Sequence, residues 1–479
     1  MKPRAIPVPV FATLLALAGC ALHPAGEKEE RERSLRAGAS YLERPDPPPL
    51  PAVPGPDDYL QQAFLRNSDL EVRYWEWRAA IERIPQDASP PNAAVPFSYL
   101  FSAENLKAWD RTTLGITNDP MTDIPFPTKL LTAGRRALEE ARAAGLRFET
   151  AKFRLQREVL STYHDLALLA ESIRIQEENV ALLRMIAGQA EVRVQAGTAD
   201  QQDLLKSQTR LRLAENDLEN LRGQARPTGA RLNALLGREP AAPVPLPPAL
   251  PAPRPLPLSD DDLIRLGSER STELAALARE IEGRKEALSL AKQAYLPDFS
   301  LSFSFTGSVA QTVGGMLVLP VRLEAIQAGI AEARAGLNAA QAARKQYERD
   351  LASSFVLNLY VLRNDERQIR LFEEEIIPRA RQTVAISQTA YAANRVGFVE
   401  VLDSERTLLE ARLTLAQLRT EREKALAAIE SWSAVDVEVM RSPGMAGAGG
   451  EGRGGRRAPA ARSGAGAATP GSGGMGTMR

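Results

Sequence analysis

Residues 155–194 read LQREVLSTYHDLALLAESIRIQEENVALLRMIAGQAEVRV. Positions alternately four and three apart carry Leu155, Val159, Thr162, Leu166, Leu169, Ile173, Gln176, Val180, Leu183, Ala187, Ala190 and Val194, and only Thr162 and Gln176 are polar. A heptad held this long argues for a coiled-coil-like seam rather than the apolar stripe of an ordinary globular helix. If the helix starts near residue 128, it is ~65 residues and ~100 Å long at 1.5 Å per residue. Ordinary helices average ~11–12 residues, so this one serves reach as well as a core. The whole stretch 127–235 reads as a long helix, a short break and a returning helix.

The same unit is written twice. Moving Leu211, Ala214, Leu218, Leu221, Thr228, Leu232 and Leu235 forward by 197 positions (408 minus 211) gives Leu408, Ala411, Leu415, Leu418, Ala425, Ile429 and Trp432. That shift also lays Leu204-Leu205 on Val401-Leu402 and Ser207 on Ser404. A period near 200 residues is too long for a solenoid repeat and reads as a duplicated half-molecule, residues 57–237 and 259–434. The Pro/Ala-rich segment 238–258 would carry the chain from one half to the other.

Lys plus Arg and Asp plus Glu both number 60, which leaves no net field to attract nucleic acid or acidic substrates. The single cysteine excludes an intrachain disulfide. Its position is informative: Lys2 and Arg4 precede an apolar run, which closes on Leu17-Ala18-Gly19-Cys20. This resembles a bacterial lipobox, with 1–19 as signal peptide and Cys20 as the lipidated first residue of the mature chain; a plain secretory signal is the alternative. The apolar run is too short to span a bilayer. Ala21 is not the aspartate that commonly retains lipoproteins at the inner membrane, so outer-membrane sorting is expected. Residues 27–36 read as a solvated charged face, and 45–56 as a proline-rich strap within a lipid-anchored segment 20–56. Residues 442–479 read as a disordered low-complexity tail.

A helix is expected over 57–83, ending before Pro85, and another over 259–295. Strands follow each. Val95, Phe97, Tyr99 and Phe101 alternate with other residues, and Ser300-Leu301-Ser302-Phe303-Ser304-Phe305 alternates strictly. In a soluble protein that pattern is a half-buried strand; in a membrane it is a barrel strand with Leu301, Phe303 and Phe305 toward lipid. The first return strand, within 102–120, is poorly marked, and the second is expected at 316–321. Four strands per chain cannot close a barrel, since the smallest need ~8. Edges left open in lipid strand backbone groups at several kcal/mol each, so a membrane role requires several copies.

The second long helix is expected over 323–391, with Leu323, Ile326, Ile330, Ala333, Leu337 and Ala340 in heptad register. The helix breaks, 195–200 and 393–398, place Gly197 and Asn394 at equivalent positions, and both residues tolerate left-handed backbone. A kink or an interruption is expected around Gly223, Pro227 and Gly229. Asp200, Asp203, Glu400 and Asp403 lie at or just past the breaks. They either support helix N-termini or, brought round a symmetry axis, form acidic rings that gate a pore and favour cations.

These residues resemble the TolC-like outer-membrane efflux proteins over roughly 57–432, and look nearest to lipoprotein members among drug and heavy-metal exporters. The specific matches are Gly197-x5-Asp203-Leu204-Leu205, Asn394-x5-Glu400-Val401-Leu402-Asp403, Leu296-Pro297 before the serine-alternating strand, and Leu319-Pro320. The resemblance implies a mainly α protein with a small β part. It implies a homotrimer whose four strands per chain build a twelve-stranded barrel in outer-membrane lipid, continued by a periplasmic α-barrel narrowing at the hairpins. A periplasmic adaptor is then expected to meet Gly197, Thr198, Asn394, Arg395, Val396 and Gly397 and to link the channel to an inner-membrane pump of the RND type. The second tip departs from the family pattern in having Asn394 where glycine is usual.

No enzyme constellation is visible: His23 and His164 are far apart, no Cys/His cluster suits a metal, and no phosphate loop or nucleophile elbow occurs. His164 reads as a packing or solvated residue, and no cofactor is expected. The rival to a passive export conduit is a lipid-anchored periplasmic scaffold or adaptor without a pore, which has no use for the Ser/Phe alternation at 300–305.

Overall fold

The computed structural model describes residues 21–434, apart from 102–104, 119–122, 199, 255, 257–258, 309 and 394. The expectations for Cys20, for Asn394 and for the tail fall outside the described residues.

The heptad of residues 155–194 lies on one continuous helix, α5 (Pro127–Gln195), the fifth among the described residues. Ten of its twelve seam positions are buried, and Ile173 and Val194 are half-buried. The two polar seam residues are satisfied by backbone: Thr162 Oγ1 donates to the Glu158 carbonyl at 2.8 Å, and Gln176 Nε2 to the Ala214 carbonyl at 2.9 Å. A buried polar group without such a partner costs about 1–3 kcal/mol, so neither interrupts the seam. Ala214 belongs to the returning helix α6 (Gln201–Leu235), where Ala214 and Leu218 pack on Val180 and Leu183.

Upstream lie α1 (Glu27–Ala37), α2 (Ala39–Glu43), α3 (Pro56–Arg66) and α4 (Ser68–Asp87). The single helix expected over 57–83 is thus two. Asn67 divides them, its Oδ1 accepting from the Leu70 amide at 3.0 Å and its Nδ2 donating to the Leu235 carbonyl at 2.9 Å, the last residue of α6. The helix also runs past Pro85, because a proline in the last turn forfeits one amide bond while buried Ile81 and Ile84 hold the turn in place. The charged run 27–36 does present a solvated face, with Lys28, Glu29, Glu32 and Arg36 exposed, but its other side is covered. Glu27, Glu30 and Ser34 are buried: Glu30 Oε1 accepts from Trp77 Nε1 at 2.9 Å and Glu27 from Arg31 Nε at 3.0 Å. Trp77 in turn stacks on Phe148 of α5 at 5.8 Å, in a core that includes Tyr41, Tyr59 and Tyr74.

Five strand segments make one antiparallel sheet of four lanes. β1 (Ala93–Ala94) and β2 (Phe97–Tyr99) keep one register against β3 (Thr112–Asn118), since Ala94 faces Thr117 and Phe97 faces Leu114. They are one lane interrupted at Val95-Pro96, where proline has no amide to give. β3 pairs with β4 (Asp298–Thr306), and β4 with β5 (Ala310–Val318). The weakly marked first return strand is β3. The second return strand starts at Ala310, six residues before the expected 316.

Between the sheet's halves, α7 (Asp260–Arg270) and α8 (Thr272–Lys292) replace one expected helix. Ser271 divides them by accepting the Leu274 amide. After the sheet, α9 (Leu323–Leu371) leads through a π-helical turn, Phe372–Ile376, into α10 (Ile377–Ala392), and α11 (Phe398–Ser433) returns. The π turn answers Pro378, which cannot donate: the Ile377 amide reaches back five residues to Phe372. At Pro227 α6 continues, so the helix is not interrupted there. Packing at Leu218 and Leu232 on either side outweighs one lost hydrogen bond. Among the described residues no helix is long and apolar enough to cross a membrane.

The linker is tied down by charge. Arg254 donates through Nε to Glu423 at 2.9 Å and through Nη1 to Glu430 at 2.9 Å. Arg422 Nη2 binds the Arg254 carbonyl at 2.8 Å and Glu366 at 3.0 Å. His164 lies in this field, close to Glu423, Arg254, Lys424 and Asp165, and burial pushes its pKa down to about 4. It is a packing residue.

Candidate functional site

Two regions bear on function: the paired helix breaks and the sheet. At the first break Gly197 adopts φ +70°, a conformation that costs other residues and not glycine. The Thr198 amide bonds the Arg193 carbonyl at 2.9 Å and the Gly197 amide bonds Val194 at 3.0 Å, a Schellman closure of α5. The chain then turns into α6, with the Asp203 amide on the Asp200 carbonyl at 3.0 Å. At the second break the Arg395 amide bonds Ala390 at 2.8 Å and the Glu400 amide bonds Gly397 at 3.3 Å. Each of these second-break bonds is a first-break bond displaced by 197 residues. A side-chain bond is displaced equally: Ser207 Oγ donates to the Leu204 carbonyl, and Ser404 Oγ to that of Val401.

Of the residues singled out at the tips, Gly197, Thr198, Arg395 and Gly397 are exposed and Val396 is half-buried. Val396 packs on a cluster that sequence alone did not pick out as a site: Ile186 from α5 with Tyr391, Phe398 and Val401. Arg193 joins the two breaks, donating Nη1 to the Tyr391 carbonyl at 2.9 Å with its guanidinium 4.5 Å from the Tyr391 ring. An arginine in the last turn of a helix also suits its negative end, which masks such a bridge in the sequence. An open groove of about 840 Å³ lies between α5 and α6 nearby, lined by Arg184, Gly188, Glu191, Leu205 and Arg212.

Asp200, Glu400 and Asp403 are exposed and Asp203 is half-buried. Asp200 occupies the N-cap of α6 without a side-chain capping bond, and Gly397 fills that position for α11. Asp203 and Glu400 sit in the first turns of those helices, where a carboxylate suits the positive end of the helix. Among the described residues none of the four carboxylates forms an ion pair within one chain.

In the sheet, directly paired residues of an antiparallel ladder point to the same face. One face therefore collects Phe97, Leu114, Ile116, Leu301, Phe303, Phe305, Val313 and Leu317 across all four lanes. The other collects Ser98, Thr113, Gly115, Thr117, Ser300, Ser302, Ser304, Thr306, Thr312 and Gly314, with Ala310, Met316 and Val318 of β5 as exceptions, while Thr112, Gln311 and Gly315 interrupt the apolar face. Thr113 and Thr306 hydrogen-bond on the hydroxyl face at 2.8 Å. Sequence had exposed this two-sidedness in β4 and in the alternation of Val95, Phe97, Tyr99 and Phe101, but not in β3 or β5. Among the described residues the outer lanes, β1/β2 and β5, each leave one edge unpaired. At the helix end of the sheet, Lys129 Nζ holds the Leu296 carbonyl and Asp298, both at 2.8 Å.

Long helical hairpins joined to a small antiparallel sheet of this kind define the TolC-like class of channel folds. The solved outer-membrane channel OprN superposes with a TM-score of 0.66 at 20% identity, over 80% of this chain and 90% of that one. The outer membrane protein VceC of Vibrio cholerae superposes with a TM-score of 0.68 at 17% identity, over 79% of this chain and 96% of that one. Residues 59–238 match the family model described as outer membrane efflux protein. The pyoverdine export outer membrane protein OpmQ of Pseudomonas putida is 24% identical over 316 residues, 62% of this chain and 66% of that relative's length. The family match thus covers residues 59–238, and the solved outer-membrane proteins share the fold of the chain.

Proposed function

We propose that the chain is the outer-membrane channel of a tripartite efflux system, a passive homotrimeric conduit from a pump and the periplasm to the exterior. The observation that carries this is the four-lane sheet, apolar on one face, hydroxyl-lined on the other and open at both edges. β4 and β5 have nine residues each, and a transmembrane strand takes about 9–11. In lipid the open edges cannot stand alone; three copies edge to edge give twelve strands, Leu301, Phe303 and Phe305 outward and the serines toward water. The exposed Leu323 and half-buried Ile326, Ile330 and Leu337 of α9 then meet a neighbouring copy.

The helices form the periplasmic body, as two repeats joined by the Arg254-tethered linker; the equivalent bonds at the two breaks support the duplication. Cys20 carries the lipid anchor. The breaks meet a periplasmic adaptor through Gly197, Thr198, Asn394, Arg395, Val396 and Gly397, and an inner-membrane pump of RND type stands behind it. Asp200, Asp203, Glu400 and Asp403 supply the acidic constriction. The test is to place one cysteine on 97–99 and one on 311–317 and oxidise membranes. Covalent trimers for at least one pair are expected; absence of intermolecular products for every pair contradicts the proposal.

A further inference from the structure

The sheet carries a second, separate feature at the end farthest from the helices. There the segment after β2 turns through a short 3-10 helix, Trp109–Arg111, into β3. That helix is fastened to the turn of the other hairpin: Asp110 Oδ1 accepts from the Ser308 amide at 2.8 Å and from its hydroxyl at 2.6 Å. Gly307 adopts φ +46°, and a Cβ there would stand 2.3 Å from the Asp110 Cα, so the close approach requires glycine. The fastening sets the Trp109 ring 6.2 Å from that of Phe305, and Tyr99 meets Phe101 edge-on at 4.9 Å.

Tyr99 and Phe305 belong to the apolar face by register. Phe101 is 82% exposed and Trp109 58% exposed, so the rings serve no core within the chain. Lys107, also exposed, is in the same segment. Aromatic rings that are apolar in body and polar at one tip, beside a cation and at the end of a lipid-length strand, match the headgroup layer of a bilayer.

We propose that Trp109, with Tyr99, Phe101 and Phe305, forms an aromatic anchor in the outer headgroup layer, and that the Asp110–Ser308 clasp holds it there. The anchor rests on the barrel reading above and adds to it where the barrel stops in the membrane. Lys107 supplies charge complementary to lipid phosphate at that level. The rim is thereby tied to one depth, and the hairpin tips are kept from sliding into the hydrocarbon.

The test is tryptophan quenching of the full protein in vesicles of phosphatidylcholine brominated either near the carbonyl end or near the middle of the acyl chains. Trp109 is one of four tryptophans; Trp75 and Trp77 sit on α4 and Trp432 on α11. Shallow bromines are expected to remove up to about a quarter of the emission, deep ones clearly less, and the conservative variant Trp109→Phe to abolish the difference. A second variant, Trp109→Phe with Phe303→Trp, separates the two proposals because position 303 belongs mid-barrel. If that variant is quenched by deep bromines while the wild type responds to neither, the barrel stands and the anchor is wrong. If both proteins ignore the lipid, the anchor and the barrel fall together.

Discussion

Single residues set the boundaries of what the chain can do. Cys20, at the end of Leu-Ala-Gly-Cys, is expected to take up labelled fatty acid, and Cys20→Ser to abolish the label; an unlabelled wild type disproves the anchor. Export is expected to survive in part, because a closed barrel holds itself in lipid without an acyl chain. His164 shows a different constraint. Burial lowers its folded pKa to about 4 from the ordinary 6.5, so between those values the unfolded chain binds the extra proton. The stability it contributes is complete above pH 6.5 and is lost as pH falls toward 4. From pH 7 to 5 this one residue is expected to cost about 2 kcal/mol. His164→Gln should flatten that part of the pH dependence in thermal unfolding of the detergent-solubilised protein. An unchanged slope would assign the acid sensitivity to other groups; Glu405, whose pKa burial raises, is not one of them, since acid favours its folded form.

At the scale of elements, the two faces of the sheet make opposite demands. A charge at mid-membrane on the lipid face costs about 2–4 kcal/mol and far less toward water. Phe303→Arg is therefore expected to block trimer assembly while Ser302→Arg is tolerated, judged by heat-resistant trimers on gels. Equal tolerance would favour a scaffold over a barrel. The helix breaks make a further prediction. Asp403→Asn with Glu400→Gln is expected to raise conductance in planar bilayers and weaken cation selectivity. Unchanged conductance with lower thermal stability would assign these carboxylates to the helix dipoles instead.

The long helices and both breaks were legible because a heptad or a left-handed glycine is a local signal. β3 was not, since Thr-Thr-Leu-Gly-Ile-Thr-Asn contains only two apolar residues and an interior glycine. It is a strand because β2 and β4 lie on either side to pair with it. β5 was placed six residues late for the same reason: Ala310 to Gly315 has little pattern of its own, and β4 supplies the ladder. The prolines misled in the other direction. Pro85 and Pro227 each forfeit a hydrogen bond, and tertiary packing outweighed that local loss. Burial of Glu27 and Glu30 depended on partners from Arg31 and Trp77, one of them 47 residues away, which no hydropathy pattern reports.

At the scale of the whole molecule, one chain leaves its sheet open at both edges and the first half of α9 largely uncovered. A soluble scaffold has no use for an apolar sheet face in which Val313 remains 80% exposed. A trimer in a bilayer uses the face for lipid and the edges for closure. The most direct measurement is electron cryomicroscopy of the full-length protein in lipid nanodiscs. The result expected is three copies around one axis, twelve strands closed through the bilayer with Phe303 outward and Ser302 lining the lumen, and the helix breaks converging at the opposite end. A particle of one or two chains, or a trimer whose sheets stay open and outside the lipid, would contradict the conduit.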